Sequence, residues 1–232
     1  MRGTVLWDFD GTLVRMVRAW RYAVLDVLDC AIPGHQHSAE EIGIRLRVGY
    51  PWHTPERPHP ELSNPDDWWR YMESVFAHSL ADLGLPAAEA VSLCAGVRPR
   101  IVDPGAYEVY ADAEPALARL REAGWRHAIV SNHVPELDQL VLALGIRPWF
   151  DAVHTSAAVG YEKPHPGIYS VALSAARAPA LWMVGDSFTA DVAGAERAGL
   201  RAILVRAQDP RAGRQAGDLA AAADIILAAV PD

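Results

Sequence analysis

TVLWDFDGTLV, residues 4–14, is the stretch that decides the fold. β-Branched and large apolar side chains over residues 4–7 are typical of a strand that is covered on both faces of a parallel sheet. Functional groups in open α/β sheets lie at the carboxyl ends of the strands, and Asp8 directly follows this one. Because side chains alternate along an extended chain, Asp8 and Asp10 are expected to point the same way. Gly11 allows the sharp turn and the close backbone approach that a ligand needs there.

These two acids alone do not separate a catalytic site from an ordinary turn, in which Asp10 would accept hydrogen bonds from backbone amides. A second buried strand over residues 181–184 is followed by Asp186 and, further along, by Asp191. The composition of residues 188–197 is typical of a helix. Clusters of oxygen ligands without sulfur suit Mg²⁺; the alternative is that Asp186 and Asp191 cap that helix.

Two further loops carry polar residues that fit a phosphate site. Residues 127–130 are predicted to be a strand that leads to Ser131 and Asn132, whose hydroxyl and amide can bind phosphate oxygens without adding charge. The same two residue types often cap a helix instead. Lys163 precedes Pro164, which favours an extended backbone and a rigid loop that presents an ammonium group. The alternative is a solvated surface lysine.

The four motifs DFDGT, SN, KP and GDSFTAD, in this order, resemble the haloacid dehalogenase-like hydrolase superfamily over about two thirds of the chain. The resemblance implies an α/β fold, with a Rossmann-like, doubly wound parallel sheet and an inserted α-helical cap. The core would comprise residues 1–14 and 103–232. The cap would comprise residues 15–102.

The resemblance also implies a role for each residue of the four motifs. Asp8 is the nucleophile and Asp10 the general acid and base, and Mg²⁺ is bound by the Asp8 carboxylate and the Asp10 backbone carbonyl. The other implied roles are a catalytic phosphate ligand, a charge-balancing lysine and two metal-side acids, at Ser131, Lys163, Asp186 and Asp191. The phosphate-binding set is expected to be Gly11, Thr12, Ser131, Asn132 and Lys163.

One residue departs from the pattern of the superfamily. His165 follows Lys163 and Pro164, where many proteins that resemble this chain carry an acid. The electrostatics of that loop are therefore expected to differ from theirs. His165 and His133 both neighbour the predicted site, and either is a candidate for contact with the substrate.

Asp10 also bears on the type of reaction. Dehalogenating members of the superfamily resemble this chain at the first aspartate but lack the second acid, because a halide needs no proton. An alkoxide does need one, so Asp10 favours attack of Asp8 on a small phosphomonoester, with hydrolysis of an aspartyl-phosphate intermediate. A phosphomutase would keep the same residues. A receiver-type signalling domain would not explain the cap, and a non-catalytic binding module would be expected to have lost Asp8 or Asp10.

Composition sets the wider limits. A chain of 232 residues is long enough for one sizeable core with an inserted subdomain. The net charge of −8 disfavours a non-specific nucleic-acid binder. No apolar run approaches the ~20 residues of a membrane span, and the first predicted strand begins almost at Met1, which leaves no room for a signal peptide. Cys30 and Cys94 do not form a CxxC pair. We expect a cytoplasmic enzyme, monomeric or homodimeric, with no nucleic-acid or membrane partner.

Within the predicted cap, apolar spacing and start signals favour helices over residues 15–30, 38–48, 65–83 and 87–97. The intervening loop, residues 50–65, contains five prolines, which exclude a regular helix or a central strand. Trp52 of this loop and the Trp68–Trp69 pair either stack on a base or sugar of the substrate or hold the cap together, and packing is the favoured interpretation. Near the end of the chain, a last strand is predicted over residues 225–227.

Overall fold

The computed structural model describes residues 2–176 and 179–229. Its strands, in chain order, are β1 (Gly3–Trp7), β2 (Val14–Met16), β3 (Tyr107–Val109), β4 (Trp125–Ser131), β5 (Ala152–Thr155), β6 (Ala180–Gly185), β7 (Arg201–Val205) and β8 (Gln215–Ala216). Six of them form one parallel sheet in the order β5-β4-β1-β6-β7-β8. The chain starts at a central strand and winds first to one side and then to the other, which creates a switch point beside β1.

Helices cover both faces of this sheet. They are α6 (Ala113–Glu122), α7 (Leu137–Ala143), α8 (Ser156–Val159), α9 (Pro166–Ala175), α10 (Gly194–Arg197) and α11 (Leu219–Ala228). Strand β1 is buried along its whole length, with Val5 and Trp7 in the apolar cluster that includes α6 and α11, and Leu6 in the cluster that includes α9 and α10. This alternation explains the continuous apolar run in the sequence and confirms the predicted doubly wound α/β sheet.

Five helices, α1 (Trp20–Ala31), α2 (Ala39–Arg45), α3 (Pro65–Ala81), α4 (Ala87–Cys94) and α5 (Val97–Ile101), lie between β2 and β3. We call residues 15–102 the insert. The chain enters it through β2 and leaves it towards β3, and these two strands pair antiparallel. Trp68 and Trp69 are buried in the insert, in agreement with the packing interpretation, whereas Trp52 is half-buried. Across the described ranges, no helix combines the length and apolar character that a bilayer crossing requires.

Two predicted helix starts are confirmed at the level of individual hydrogen bonds. Ser38 accepts from the backbone N–H of Glu41, whose side chain in turn accepts from the N–H of Ser38, so α2 begins with a capping box. Asn64 accepts from the N–H of Asp66 at 2.9 Å, with Pro65 as the first residue of α3. In both cases the capping residue bonds to a residue two or three positions further along the chain, so a short stretch of sequence is enough to predict the start of the helix.

Two other predictions are wrong. The first predicted helix of the insert begins at Trp20, not at residue 15, because residues 14–16 are extended in β2. The predicted last strand over residues 225–227 is helical, in α11. Asp218 caps this helix by accepting from the N–H of Ala221 at 2.8 Å, and the alanine-rich run that follows has high helix propensity. Its buried residues, Leu219, Ala222, Ala223 and Ile226, recur at helical spacing.

A buried histidine links β1, β4 and α6. Trp7 Nε1 donates to Nδ1 of His127 at 3.1 Å, and Nε2 of His127 lies 3.0 Å from the carbonyl oxygen of Leu117. The neutral imidazole that carries its proton on Nε2 satisfies both contacts. Burial lowers the pKa of His127 to about 4. Protonation at Nδ1 would bring its N–H against the N–H of Trp7, so that two donors would face each other.

We therefore expect acid to destabilise the protein through His127. Its pKa lies near 6.5 in the unfolded chain and near 4 in the fold, so between these values only the unfolded chain takes up the proton and stability falls as the pH falls. Replacement of His127 by Gln should reduce the decrease in the free energy of unfolding between pH 7.5 and pH 4.5 by about 2 kcal/mol. Urea unfolding of both proteins at these two pH values measures it; equal losses would contradict the assignment.

Candidate active site

Polar side chains that are distant in sequence meet at the carboxyl ends of β1, β4 and β6. Asp8 follows β1, Ser131 ends β4 and Asp186 follows β6, while Lys163 comes from the loop before α9. The Oδ1 atom of Asp8 accepts from Ser131 Oγ at 2.7 Å and from Lys163 Nζ at 2.6 Å. The predicted nucleophile, phosphate ligand and lysine therefore form one hydrogen-bonded group, and the helix-capping alternative for Ser131 is wrong.

Lys163 is buried, and its ammonium group bridges two carboxylates. Nζ lies 2.6 Å from Oδ1 of Asp8 and 2.6 Å from Oδ1 of Asp191. Burial alone would lower the pKa of Lys163, but the charges of Asp191 and Asp8 raise it above the ordinary value, so the group is cationic. The alternative of a solvated surface lysine is wrong.

Asn132 fixes the backbone of the lysine loop. Its Nδ2 donates to the carbonyl oxygen of Lys163 at 3.0 Å, and its Oδ1 accepts from the N–H of Lys163 at 2.6 Å. The amide thus satisfies both backbone groups of one residue, and the helix-capping alternative for Asn132 is wrong. The phosphate-binding role predicted for Asn132 stays a prediction. The sequence did not predict this positioning role, since nothing local to either motif indicates the pairing.

Asp8, Asp186 and Asp191 form an acidic cluster in which one carboxylate oxygen of each lies within 4.8 Å of those of the other two. Burial raises the pKa of Asp186 and of Asp191, and the charge of Asp8 raises both further. Gly11, with φ of +75°, leaves the space for Asp186, because a Cβ at this position would overlap its carboxylate. The carboxylate oxygens of Asp8, Asp186 and Asp191 could therefore bind a cation.

Asp10 lies at the edge of this cluster. Its side chain is 35% exposed, one carboxylate oxygen is buried without a hydrogen-bond partner in the described structure, and the other lies 3.4 Å from Nε2 of His133. Lost hydration and the charges of Asp8 and Asp186 raise the pKa of Asp10. Burial lowers the pKa of His133 to about 4, so its imidazole is neutral at physiological pH.

Two predicted residues have surroundings that differ from the expectation. Thr12 is fully buried, and its hydroxyl has no hydrogen-bond partner in the described part of the chain, so its predicted role in phosphate binding stays a prediction. His165 accepts from the N–H of Gly167 at 3.0 Å and caps α9, while its ring stacks on Tyr161. The imidazole performs the capping that an acid can also perform at this position.

A cavity of about 560 Å³ opens beside these groups. The sheet and its loops contribute Asp10, Asn132, His133 and Lys163 to its lining. The insert contributes Met16, Trp20, Trp52 and Pro55. The insert therefore forms one wall of the cavity.

The insert is also attached directly to the lysine loop. Nε2 of His59 lies 3.0 Å from Oε1 of Glu162, and the backbone N–H of His59 donates to the carbonyl oxygen of Gly160 at 2.9 Å. His59 and Glu162 are both buried. A Cβ at Gly160 would come within 2.9 Å of the Cα of Pro60. Sequence reasoning missed this contact, because a stiff proline-rich loop gives no sign of where it docks.

The sequence is similar to those of several known proteins. The family model for haloacid dehalogenase-like hydrolases matches residues 3–199 of this chain. Haloacid dehalogenase-like hydrolase domain-containing protein 3 of Mus musculus is 31% identical over 212 residues, which cover 88% of this chain and 82% of that protein. The phosphoserine phosphatase of Thermus thermophilus is 36% identical over 150 residues, which cover 61% of this chain and 59% of that protein.

Solved structures show the same fold. The HAD-hydrolase YfnB of Bacillus subtilis, solved bound to magnesium, superposes with a TM-score of 0.74 at 19% identity, over 97% of this chain and 98% of that one. The L-2-haloacid dehalogenase of Xanthobacter autotrophicus superposes with a TM-score of 0.66 at 22% identity, over 99% of this chain and 100% of that one. Because a dehalogenase and a magnesium-bound hydrolase share this fold, the fold alone does not select a reaction.

Replacement of Lys163 by Met should destabilise the metal-free protein by about 3–5 kcal/mol at pH 8, because it leaves buried carboxylates without a counter-charge. The loss should be smaller at pH 5.5. The ammonium lowers the pKa of Asp191, so in the variant this carboxylate takes up its proton at a higher pH. Its pKa in the fold then lies further above the value of 3.8 in the unfolded chain, and the stability that protonation gives disappears as the pH rises.

Urea unfolding in EDTA at both pH values tests this, with wild type measured beside the variant so that other titrations cancel. Replacement of exposed Arg119, which pairs with Asp224 on the surface, by Met is the control and should cost under about 1 kcal/mol. A loss that is the same at both pH values would show that the ammonium does not hold these carboxylates ionised.

Proposed function

The chain belongs to the haloacid dehalogenase-like hydrolase family, and on that premise we propose that it is a Mg²⁺-dependent phosphatase acting on a small phosphorylated metabolite. The observation that carries the proposal is the second acid, Asp10, which lines the same cavity as Lys163, the residue bonded to Asp8. A displaced alkoxide needs a proton, and we assign its supply to Asp10. The similarity to a phosphoserine phosphatase supports the same class of reaction.

Asp8 is the proposed nucleophile. Ser131 and Lys163 both bind its Oδ1 atom, so we assign attack on phosphorus to Oδ2. These two hydrogen bonds fix the carboxylate plane and limit the reorganisation that attack requires. The bond from phosphorus to the ester oxygen breaks as the bond to Asp8 forms, which gives an aspartyl phosphate and an alkoxide.

Asp10 is the proposed acid and base. Because its pKa is raised, it holds a proton that it can give to the departing alkoxide oxygen. As a carboxylate it then takes a proton from the water that attacks the aspartyl phosphate, and Asp8 and inorganic phosphate are released. The neutral His133 beside Asp10 adds no charge that would favour its early ionisation.

The acidic cluster fits Mg²⁺. Its ligands are all carboxylate oxygens, which suit a hard cation better than a metal that prefers sulfur or nitrogen. Burial and the charge of Asp8 raise the pKa of Asp186 and of Asp191, and a bound cation would offset the repulsion among these carboxylates. We propose that Asp8, Asp186 and Asp191, with the backbone carbonyl of Asp10, hold the ion. When bound, it would offset negative charge on the phosphoryl oxygens.

We expect Mg²⁺ to raise the midpoint of thermal unfolding by about 5–10 °C over EDTA at a concentration about 100-fold above its dissociation constant. In EDTA, the variant Asp186→Asn should match or exceed the stability of wild type, because it removes a repelling carboxylate. It should lose most of the response to Mg²⁺. Asp138→Asn, an acid-to-amide change in an exposed ion pair, is the control and should keep the response.

Differential scanning fluorimetry of the three proteins measures these shifts. An equal response to Mg²⁺ in wild type and in Asp186→Asn would remove Asp186 from the proposed site. The readout is stability, so it does not depend on knowledge of the substrate.

We expect Mg²⁺-dependent release of phosphate from a panel of small phosphomonoesters, abolished in Asp8→Asn. Asp10→Asn should keep its response to Mg²⁺, since the backbone carbonyl survives, and should lower kcat by about 10²–10⁴-fold. Phosphate release and thermal shift are measured on the same samples, with Asp138→Asn as the control. Near-normal turnover by Asp10→Asn would remove its role as acid and base. Transfer of phosphate back to substrate, without release, would indicate a mutase.

A further inference from the structure

The cavity lining contains apolar side chains as well as the polar groups of the site. The apolar residues are Met16, Trp20, Trp52, Pro55, Pro164 and Ala190. At about 560 Å³ the cavity lies within the range of ligand sites and has room for more than a phosphate group. Whatever alcohol carries that phosphate therefore meets two indole rings and aliphatic surface.

The two indoles are held in place by other aromatic rings. Trp52 stacks on Tyr50, with ring centroids 4.6 Å apart and an angle of 20° between the planes. Trp20 meets Trp52 at 5.7 Å and Tyr50 at 5.3 Å, both nearly edge-on. It also stacks on the buried Trp69 at 6.4 Å. A wall fixed in this way needs little ordering when a ligand binds, so its apolar surface is available for affinity.

The charge on the lining also restricts the alcohol. Among the described residues that line the cavity, the cationic side chain is Lys163, and its ammonium is already bonded to Asp8 and Asp191. The imidazole of His133 is buried, and its Nε2 already lies 3.4 Å from Oδ2 of Asp10. The other polar groups on the lining are hydroxyls and an amide, at Ser187, Thr189 and Asn132.

A second anionic group on the substrate would therefore be poorly accommodated. A carboxylate or second phosphate on the alcohol would lose water against indole rings, without a free cation among the described lining residues. An uncharged ring would lose only its apolar hydration and would gain contact with the wall.

We propose that the cavity selects phosphomonoesters whose alcohol is uncharged and carries an apolar ring, held by Trp20 and Trp52, and rejects esters that bear a second anionic group. This inference rests on the proposed phosphatase function and narrows it to one class of substrate. It separates this chain from a phosphoserine phosphatase, since phosphoserine carries a carboxylate.

The test compares kcat/KM for three esters of primary alcohols with the full chain in Mg²⁺. Benzyl phosphate carries an uncharged ring, ethyl phosphate carries neither ring nor charge, and phosphoglycolate carries a carboxylate. Burial of a phenyl ring predicts a value for benzyl phosphate at least about tenfold above that for ethyl phosphate. Phosphoglycolate should fall below ethyl phosphate.

Variants of the wall connect this preference to the residues. Trp52→Ala should reduce the ratio of benzyl to ethyl phosphate to about two or less, and Trp52→Arg should raise the ratio of phosphoglycolate to ethyl phosphate. Trp149→Ala is the control. It removes a half-buried indole that packs against Arg121 on the core, and should leave both ratios as in wild type. Circular dichroism and thermal unfolding check the fold, and Trp52→Phe replaces Trp52→Ala if the latter does not fold.

The outcomes separate the two proposals. Release from all three esters with no preference for benzyl phosphate, or with a preference for phosphoglycolate, overturns the inference about the alcohol and leaves the phosphatase function standing. The same ratios in Trp52→Ala and wild type would also overturn it. If neither these three esters nor any member of the wider panel releases phosphate, both the phosphatase function and this inference are overturned.

Discussion

The ion pairs of Lys163 with Asp8 and Asp191 are the interaction on which the rest of the site depends. Four aspartates from two segments of the chain converge here, and carboxylates at this spacing repel one another once water is removed. A buried ammonium offsets part of that repulsion only if its position is fixed, since a misplaced charge in a dry site is itself costly. Hydrogen bonds from the surrounding structure therefore fix the loop that carries Lys163.

That loop is fixed from two directions. Asn132, at the end of β4, holds both backbone groups of Lys163. His59, from the insert, contacts the neighbouring Glu162 and the carbonyl oxygen of Gly160. The parallel sheet supplies the first constraint, because the ends of β1, β4 and β6 lie side by side. The insert supplies the second, so it contributes to the electrostatics of the site as well as to the cavity wall.

How far the sequence predicts this molecule depends on how local each signal is. The apolar run of β1, the capping box of α2 and the start of α3 are encoded within a few residues, and the structure agrees with all three. The order of the motifs was also sufficient to predict that Asp8, Ser131 and Lys163 lie together. The strand expected at 225–227 was wrong because a short apolar run fits either a strand or a buried helix. The pairing of β2 with β3 and the contact between His59 and Glu162 join distant segments. No local pattern specifies such partners, and neither was predicted.

The attachment at His59 has a consequence for how proteins built on this plan diverge. The segment that carries Trp52 and Pro55 leaves the body of the insert and is held again at His59, a few residues later. Changes in the intervening residues alter the shape of the wall but leave its far end attached beside Lys163. New substrate preferences can thus arise by point substitution without disturbing the chemistry. Exchange of the whole insert between relatives is a different matter, because an incoming segment without a partner for Glu162 would leave a buried carboxylate unpaired next to Lys163. Recombination of these two parts of the gene is therefore more constrained than drift within the loop.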